Sequence, residues 1–288
     1  TMIRFLTLIS LLLISPFSFS ESQEKNYQAR LQDVMKARKL MDKKRQRDEI
    51  KDLAQELAQE IIIIDTHLDT PIQLYMQQDK NGTYEDITKK TSLHFDYERA
   101  LNGGLNVPFF VIFTPPSAED KGTAFKMANE IIQILEDIKK KSPNKFRLVK
   151  SPDEITNNKS VMQIVYGMEN GAPIESKLSN IELFSDMGIS YITLAHSKSN
   201  HISDSSYDEN KNWGGLSPFG REVVAEMNKQ GVMIDISHVS DAAFYEVLRL
   251  TKTPVIASHS SLRHFVPGFE RNVSDDMLKE LAKNGGVI

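Results

Sequence analysis

No cysteine occurs among the 288 residues. Its absence excludes a disulfide framework, a thiolate zinc finger, a cysteine nucleophile and lipid attachment through an N-terminal thiol. Any bound metal must therefore use histidine and carboxylate ligands. Also missing is an excess of positive charge. Lys and Arg total 35 against 39 Asp and Glu, the net charge is −4 and the pI is about 6.0, which leaves no global basic field for nucleic acid. Nor is there a hydrophobic run long enough for a comfortable membrane span. The one candidate, residues 5–14 behind Arg4, is followed by Ser18-Phe19-Ser20, with small residues at −3 and −1 of a cleavage point. That is the layout of a secretory signal peptide. We expect residues 1–20 to be a signal peptide and the protein to be exported, periplasmic or extracellular; uncleaved, this segment would be its one membrane contact.

What is present is ordinary for a globular protein, with 40% hydrophobic and 26% charged residues and length enough for a sizeable core. Residues 21–60 are polar, nearly free of Gly and Pro and rich in helix formers. Their basic middle, Lys36 to Arg47, reads as the solvated side of a helix with Leu31, Val34, Met35, Leu53 and Leu57 on its weak apolar face. This leader delivers the chain into residues 61–71, IIIIDTHLDTP. Four β-branched residues suit a buried parallel strand. His67 and Asp69, on the same side of an extended chain and about 6–7 Å apart along it, can aim at one point past the strand's end. Asp65 either orients a ligand or simply caps the strand.

Downstream, apolar strands at 107–113, 161–168, 190–195, 232–236 and 254–257 alternate with helices at 124–141, 181–187, 218–231, 242–250 and 274–283, and residues 286–288 open a further strand. The rhythm predicts βα units on a parallel sheet, which fits either a doubly wound sheet or a (β/α)8 barrel. Polar residues decide between them. His67 and Asp69, Glu169, His196, His238 and His259 each lie just past the C-terminal end of a different strand. Only a closed barrel brings so many strand ends around one mouth. We therefore expect a TIM barrel of the metallo-dependent hydrolase type over residues 61–288, incomplete by its last strands. Nitrogen and oxygen ligands without sulfur suit catalytic Zn²⁺ ahead of Mn²⁺ or Fe²⁺. A carboxylate bridging two ions would let a trapped water act as hydroxide near neutral pH.

The same stretches carry a resemblance. DTHLDTP, GMENG at 167–171, LAHSKSN at 194–200, GLSPFGREVVAEMNKQGVMIDISHVSD at 215–241, PVIASHSSLR at 254–263 and RNVSDDML at 271–278 resemble, in order, the membrane (renal-type) dipeptidases. These are zinc metallopeptidases with an amidohydrolase-like barrel. The resemblance implies that His67, Asp69 and Glu169 hold one zinc and that Glu169, His238 and His259 hold the second, with Glu169 as the bridge. It implies that His196 contacts substrate and steadies the oxyanion. Arg271 would pair with the C-terminal carboxylate of a dipeptide, and the bridging hydroxide would attack the scissile carbonyl. A homodimer is implied as well. His94, His201 and His264 fall outside the matched positions and are expected at the surface.

Thr1 precedes Met2 and the chain stops at Gly285-Gly286-Val287-Ile288, so a truncated chain is expected. The catalytic Asp of the family would then lie beyond its end. The readings to be separated are a dizinc dipeptidase, another amidohydrolase-like hydrolase such as a deaminase or lactonase, and an inactive metal-binding homologue. Deaminases and lactonases typically open with HxH where this chain has HxD, and most would leave Arg271 without a purpose.

Overall fold

The computed structural model describes residues 21–44, 47–78 and 80–288; the expected signal peptide, residues 1–20, lies outside them. The chain divides into two compact units, Thr1–Glu56 and Leu57–Ile288. The described part of the first unit is helical. Helix α1 (Glu21–Lys44) is followed by α2 (Arg47–Glu60), which continues into the second unit. Leu31, Val34, Met35 and Leu53 are all exposed. Among the described residues no helix is long and apolar enough to cross a membrane.

The second unit alternates strands and helices: β1 (Ile63–Leu68), α3 (Thr70–Gln77), α4 (Tyr97–Asn102), β2 (Leu105–Phe113), α5 (Pro116–Asp120), α6 (Ala124–Lys141), β3 (Phe146–Leu148), β4 (Met162–Glu169), α7 (Ser179–Asp186), β5 (Ile189–Thr193), α8 (Pro218–Gln230), β6 (Met233–Asp235), α9 (Asp241–Leu250) and α10 (Asp275–Asn284). The sheet runs β1-β2-β4-β5-β6, every pair parallel. Single parallel bridges, Asp235 to Ile256 and Ile256 to Val287, carry it two positions further. Apart from the short β3, which pairs with β4 off this path, neighbours in space are thus neighbours in sequence. A doubly wound sheet would reverse its order midway, and this one does not, so it is the wall of a (β/α) barrel.

Alternation along the strands sorts two cores. Val107, Phe109 and Val111 of β2 join Val165, Tyr191 and Ile256 in an inner cluster. The intervening Phe110 and Ile112 join Tyr166, Ile192 and Ile234 beneath the helices. Helix α6 shows why the outer layer forms: Ala128, Ile131, Ile132, Leu135 and Ile138 recur at helical spacing and all are buried. Helices α8, α9 and α10 begin at Ser217, Ser240 and Ser274, whose hydroxyls each accept a first-turn N–H. Gly231 ends α8 and Gly285 ends α10 in the left-handed conformation.

Three details differ from expectation. The isoleucine run is not buried: Ile61, Ile62 and Ile64 are 46%, 43% and 47% exposed, because β1 is an edge of the described sheet. The short β3, absent from the sequence reading, pairs with the first half of β4. The strand expected at 254–257 pairs only at Ile256. There the backbone N–H groups of Ser237 and Ser258 both donate to the Asp235 side chain (3.0 Å each) instead of extending the ladder.

Candidate metal centre

Sheet register explains why the polar residues converge. Glu169 ends β4 opposite Phe113 on one side and Thr193 on the other, Thr193 pairs with Asp235, and Asp235 with Ile256. His196, His238 and His259 each follow a member of this row by three residues. They therefore rise to a common level above the Glu169 carboxylate. His67 approaches from inside β1, and Asp69 stands at the N-terminus of α3.

Two backbone positions fix these directions. Asn170, directly after Glu169, has a left-handed φ of 71°, which asparagine tolerates better than most residues. Its amide donates to the Thr114 carbonyl (2.9 Å) and accepts from Asn200 (2.9 Å), pinning the turn. His238 has a φ of 68°, an uncommon conformation for this residue type and characteristic of functional sites. Its carbonyl is held by the Ser206 N–H at 2.7 Å.

The Glu169 side chain is buried, and its two oxygens face different neighbours. Oε2 lies 3.5 Å from His67 Nε2, which is itself 3.5 Å from Asp69 Oδ1. Oε1 lies 3.1 Å from His238 Nε2, 3.1 Å from His259 Nε2 and 3.7 Å from His196 Nε2. The two Nε2 atoms of His238 and His259 are 2.8 Å apart. Ligand atoms placed tetrahedrally at zinc–nitrogen distances stand about 3.3 Å from one another, so this spacing is close to what a shared cation requires. Two sets of three ligand atoms each lie within 4.8 Å of one another: His67, Glu169 and His259, and Glu169, His196 and His238. The donor set therefore fits metal. Asp69, 53% exposed, is in neither set, its Oδ1 lying 3.5 Å from His67 Nε2. His259 reaches toward both sides, its ring 3.6 Å from that of His67.

Charge differs across the cluster. Burial disfavours a proton on His67, but the Asp69 and Glu169 carboxylates outweigh it and push the pKa up to about 9. At His238 burial prevails and pushes the pKa down to about 4; burial likewise lowers His196. Burial also opposes the charge on Glu169, yet hydrogen bonds from His238, His259 and His67 hold its carboxyl well below the usual range.

Arg271 lies at the rim of the same cluster. Its guanidinium donates to the His259 carbonyl (2.6 Å) and the Ser260 hydroxyl (3.1 Å). Asp65, inside β1, accepts from the His67 backbone N–H (3.1 Å). His94 and His264 are exposed as expected. His201 is half-buried rather than exposed: it pairs with Glu119 at 2.7 Å and stacks on Phe219. Sequence reasoning missed Tyr191, Ser258 and Asp235, which contact the outer nitrogens of the cluster or each other. Ser258 adjoins His259 and Asp235 precedes His238 by three, but Tyr191 reads as one more apolar strand position.

A family model described as membrane dipeptidase (peptidase family M19) matches residues 51–288. An uncharacterized dipeptidase of Schizosaccharomyces pombe is 32% identical over 259 residues, covering 83% of this chain and 62% of its own. Dipeptidase 3 of Mus musculus is 29% identical over 247 residues, covering 83% and 48%. The chain thus spans about half the length of such relatives. The crystal structure of the probable dipeptidase PvdM from Pseudomonas aeruginosa shares the fold, with a TM-score of 0.74 at 24% identity over 84% of this chain and 63% of that one.

Proposed function

The chain belongs to the membrane dipeptidase family, and we propose that it hydrolyses the peptide bond of dipeptides at a pair of Zn²⁺ ions bridged by Glu169. The observation that carries this reading is the split of the Glu169 carboxylate, one oxygen toward His67 and the other toward His238 and His259. His67 and Asp69 would hold one ion, and His238 and His259 the other. Bound there, the ions supply Lewis acidity at the scissile carbonyl and lower the pKa of water enough for hydrolysis near neutral pH.

The remaining residues bind and orient the substrate. Burial keeps His196 neutral at pH 7, so its Nε2 can donate a hydrogen bond where negative charge develops on the carbonyl oxygen. Arg271 remains charged, and with two of its N–H groups fixed on His259 and Ser260 the others form a fork for a carboxylate. The fork is bonded to the backbone of a proposed ligand. Family likeness supports a dipeptide as the substrate whose C-terminal carboxylate rests on the fork. The apolar leader read in the sequence supports export, and family likeness supports a homodimer.

The test is metal analysis of the purified protein together with hydrolysis of a simple dipeptide. Two zinc equivalents per chain and release of both amino acids are expected. Under one equivalent with no hydrolysis would overturn the proposal, and hydrolysis of a lactone or a nucleobase in place of a dipeptide would redirect it.

A further inference from the structure

Four imidazoles turn Nε2 toward Glu169, and their outer Nδ1 atoms are of two kinds. Those of His196 and His238 are buried without a partner among the described residues. Those of His67 and His259 each meet a hydroxyl: Tyr191 Oη is 3.1 Å from His67 Nδ1, and Ser258 Oγ is 2.8 Å from His259 Nδ1. A hydroxyl has one proton, so its destination settles the direction of the other bond. Tyr191 has the Thr66 carbonyl at 3.1 Å, which can only accept. Ser258 has Asp235 Oδ2 at 2.7 Å, and the Asp235 carboxylate also receives the Thr193 hydroxyl and the N–H groups of Ser237 and Ser258. The two hydroxyls also lie within hydrogen-bond reach of each other, but with both protons committed to acceptors that cannot donate, each oxygen has lone pairs left for its histidine and accepts the Nδ1–H.

We propose that Tyr191 and Ser258 are positioning residues that keep a proton on Nδ1 of His67 and His259, so that Nε2, beside the Glu169 carboxylate, is the nitrogen each ring frees for a cation. An imidazole ligates through the nitrogen that carries no proton, and the bond made by the other nitrogen fixes both tautomer and ring plane. The supports are themselves rigid. Tyr191 is fully buried, stacks on Phe109 and lies against Gly167, where any Cβ would overlap its ring carbons and fall 2.7 Å from its hydroxyl oxygen. Asp235 is fully buried and anchored by four donors. Each flank of the cluster thus has one histidine braced from behind. The inference rests on the reading of these Nε2 atoms as cation ligands.

Titration of the metal-stripped full chain with Co²⁺, followed by visible absorbance and calorimetry, tests it without recourse to turnover. Tyr191→Phe and Ser258→Ala should each weaken one of two cobalt sites by about 10- to 100-fold and alter its visible bands. Ser258→Thr, which keeps the hydroxyl, should restore wild-type binding. Folded Tyr191→Phe and Ser258→Ala proteins with wild-type affinity and spectrum would overturn the proposal, as would a wild-type chain that takes up no cobalt. If one variant fails to fold, the other decides alone. Two tight cobalt sites without dipeptide hydrolysis would remove the peptidase reading and leave this inference standing.

Discussion

The two oxygens of Glu169 look onto unlike surroundings. On the Oε2 side stands one imidazole, His67, from the edge strand β1, with Asp69 half out in solvent beside it. On the Oε1 side three imidazoles, His196, His238 and His259, crowd in from the interior of the wall. Two carboxylates serve one imidazole on the first flank, while three imidazoles share one carboxylate on the second. The protonation follows that ratio: His67 is pushed up to about 9 and His238 down to about 4. The same side-chain types therefore give one imidazole, His67, that holds a proton at neutral pH and another, His238, that does not. Stoichiometry sets the difference, because the two side chains are equally buried, 8% exposed each.

Glu169 offers one oxygen to each flank, and its removal is the largest test of their connection. Glu169→Gln keeps the shape but loses the charge and turns a donor toward histidines that need an acceptor. We expect both cations to be lost. Cations acting as Lewis acids contribute several kcal/mol to a transition state, so hydrolysis should fall about 10³-fold or more. Metal analysis beside a dipeptide assay reads both effects. A Glu169→Gln protein retaining two equivalents would show that the flanks do not depend on a shared carboxylate.

The flanks should also separate by pH. In the metal-stripped protein below about pH 9, His67 is protonated, and a cation can bind its Nε2 only by displacing that proton. Affinity at this flank should therefore rise with pH, about tenfold per unit between 7 and 9, and level off above. His238 has already lost its proton above about pH 4, so it adds no such rise at its flank over the same range. Calorimetry in buffers of differing protonation enthalpy counts the protons released by each site. Equal release from both would erase the distinction between the flanks.

The contrast also marks what was legible in the sequence. The ligand types could be read because each follows an apolar run by a short fixed offset, and three histidines lie the same three residues past one register row. Helix α6 was legible to its termini because its apolar period is uninterrupted. The exposure of Ile61, Ile62 and Ile64 was not, since four β-branched residues look alike at an edge and in a centre. Nor was the brace behind His67. Tyr191 stands 124 residues away, and only the barrel's curvature brings its hydroxyl under that ring. His201 was misjudged for the same reason, its partner Glu119 being 82 residues distant.

The smallest expected effect bears on the same asymmetry from below. Gly167 belongs to the motif that contains Glu169, two residues away, but its closest relation is to Tyr191, whose ring occupies the space a side chain would need. A Gly167→Ala substitution must push the ring aside, and overpacking of this kind costs about 1–3 kcal/mol. For a unit of this size that lowers Tm by about 2–4 °C per kcal/mol. Shifting the ring also carries its hydroxyl away from His67 Nδ1, while the Ser258–His259 contact does not involve Gly167. Cobalt titration of the folded variant should show the His67 flank weakened and the other intact. Equal losses on both flanks would mean that the inner wall yields as one body, and that the two sides of Glu169 are not braced independently.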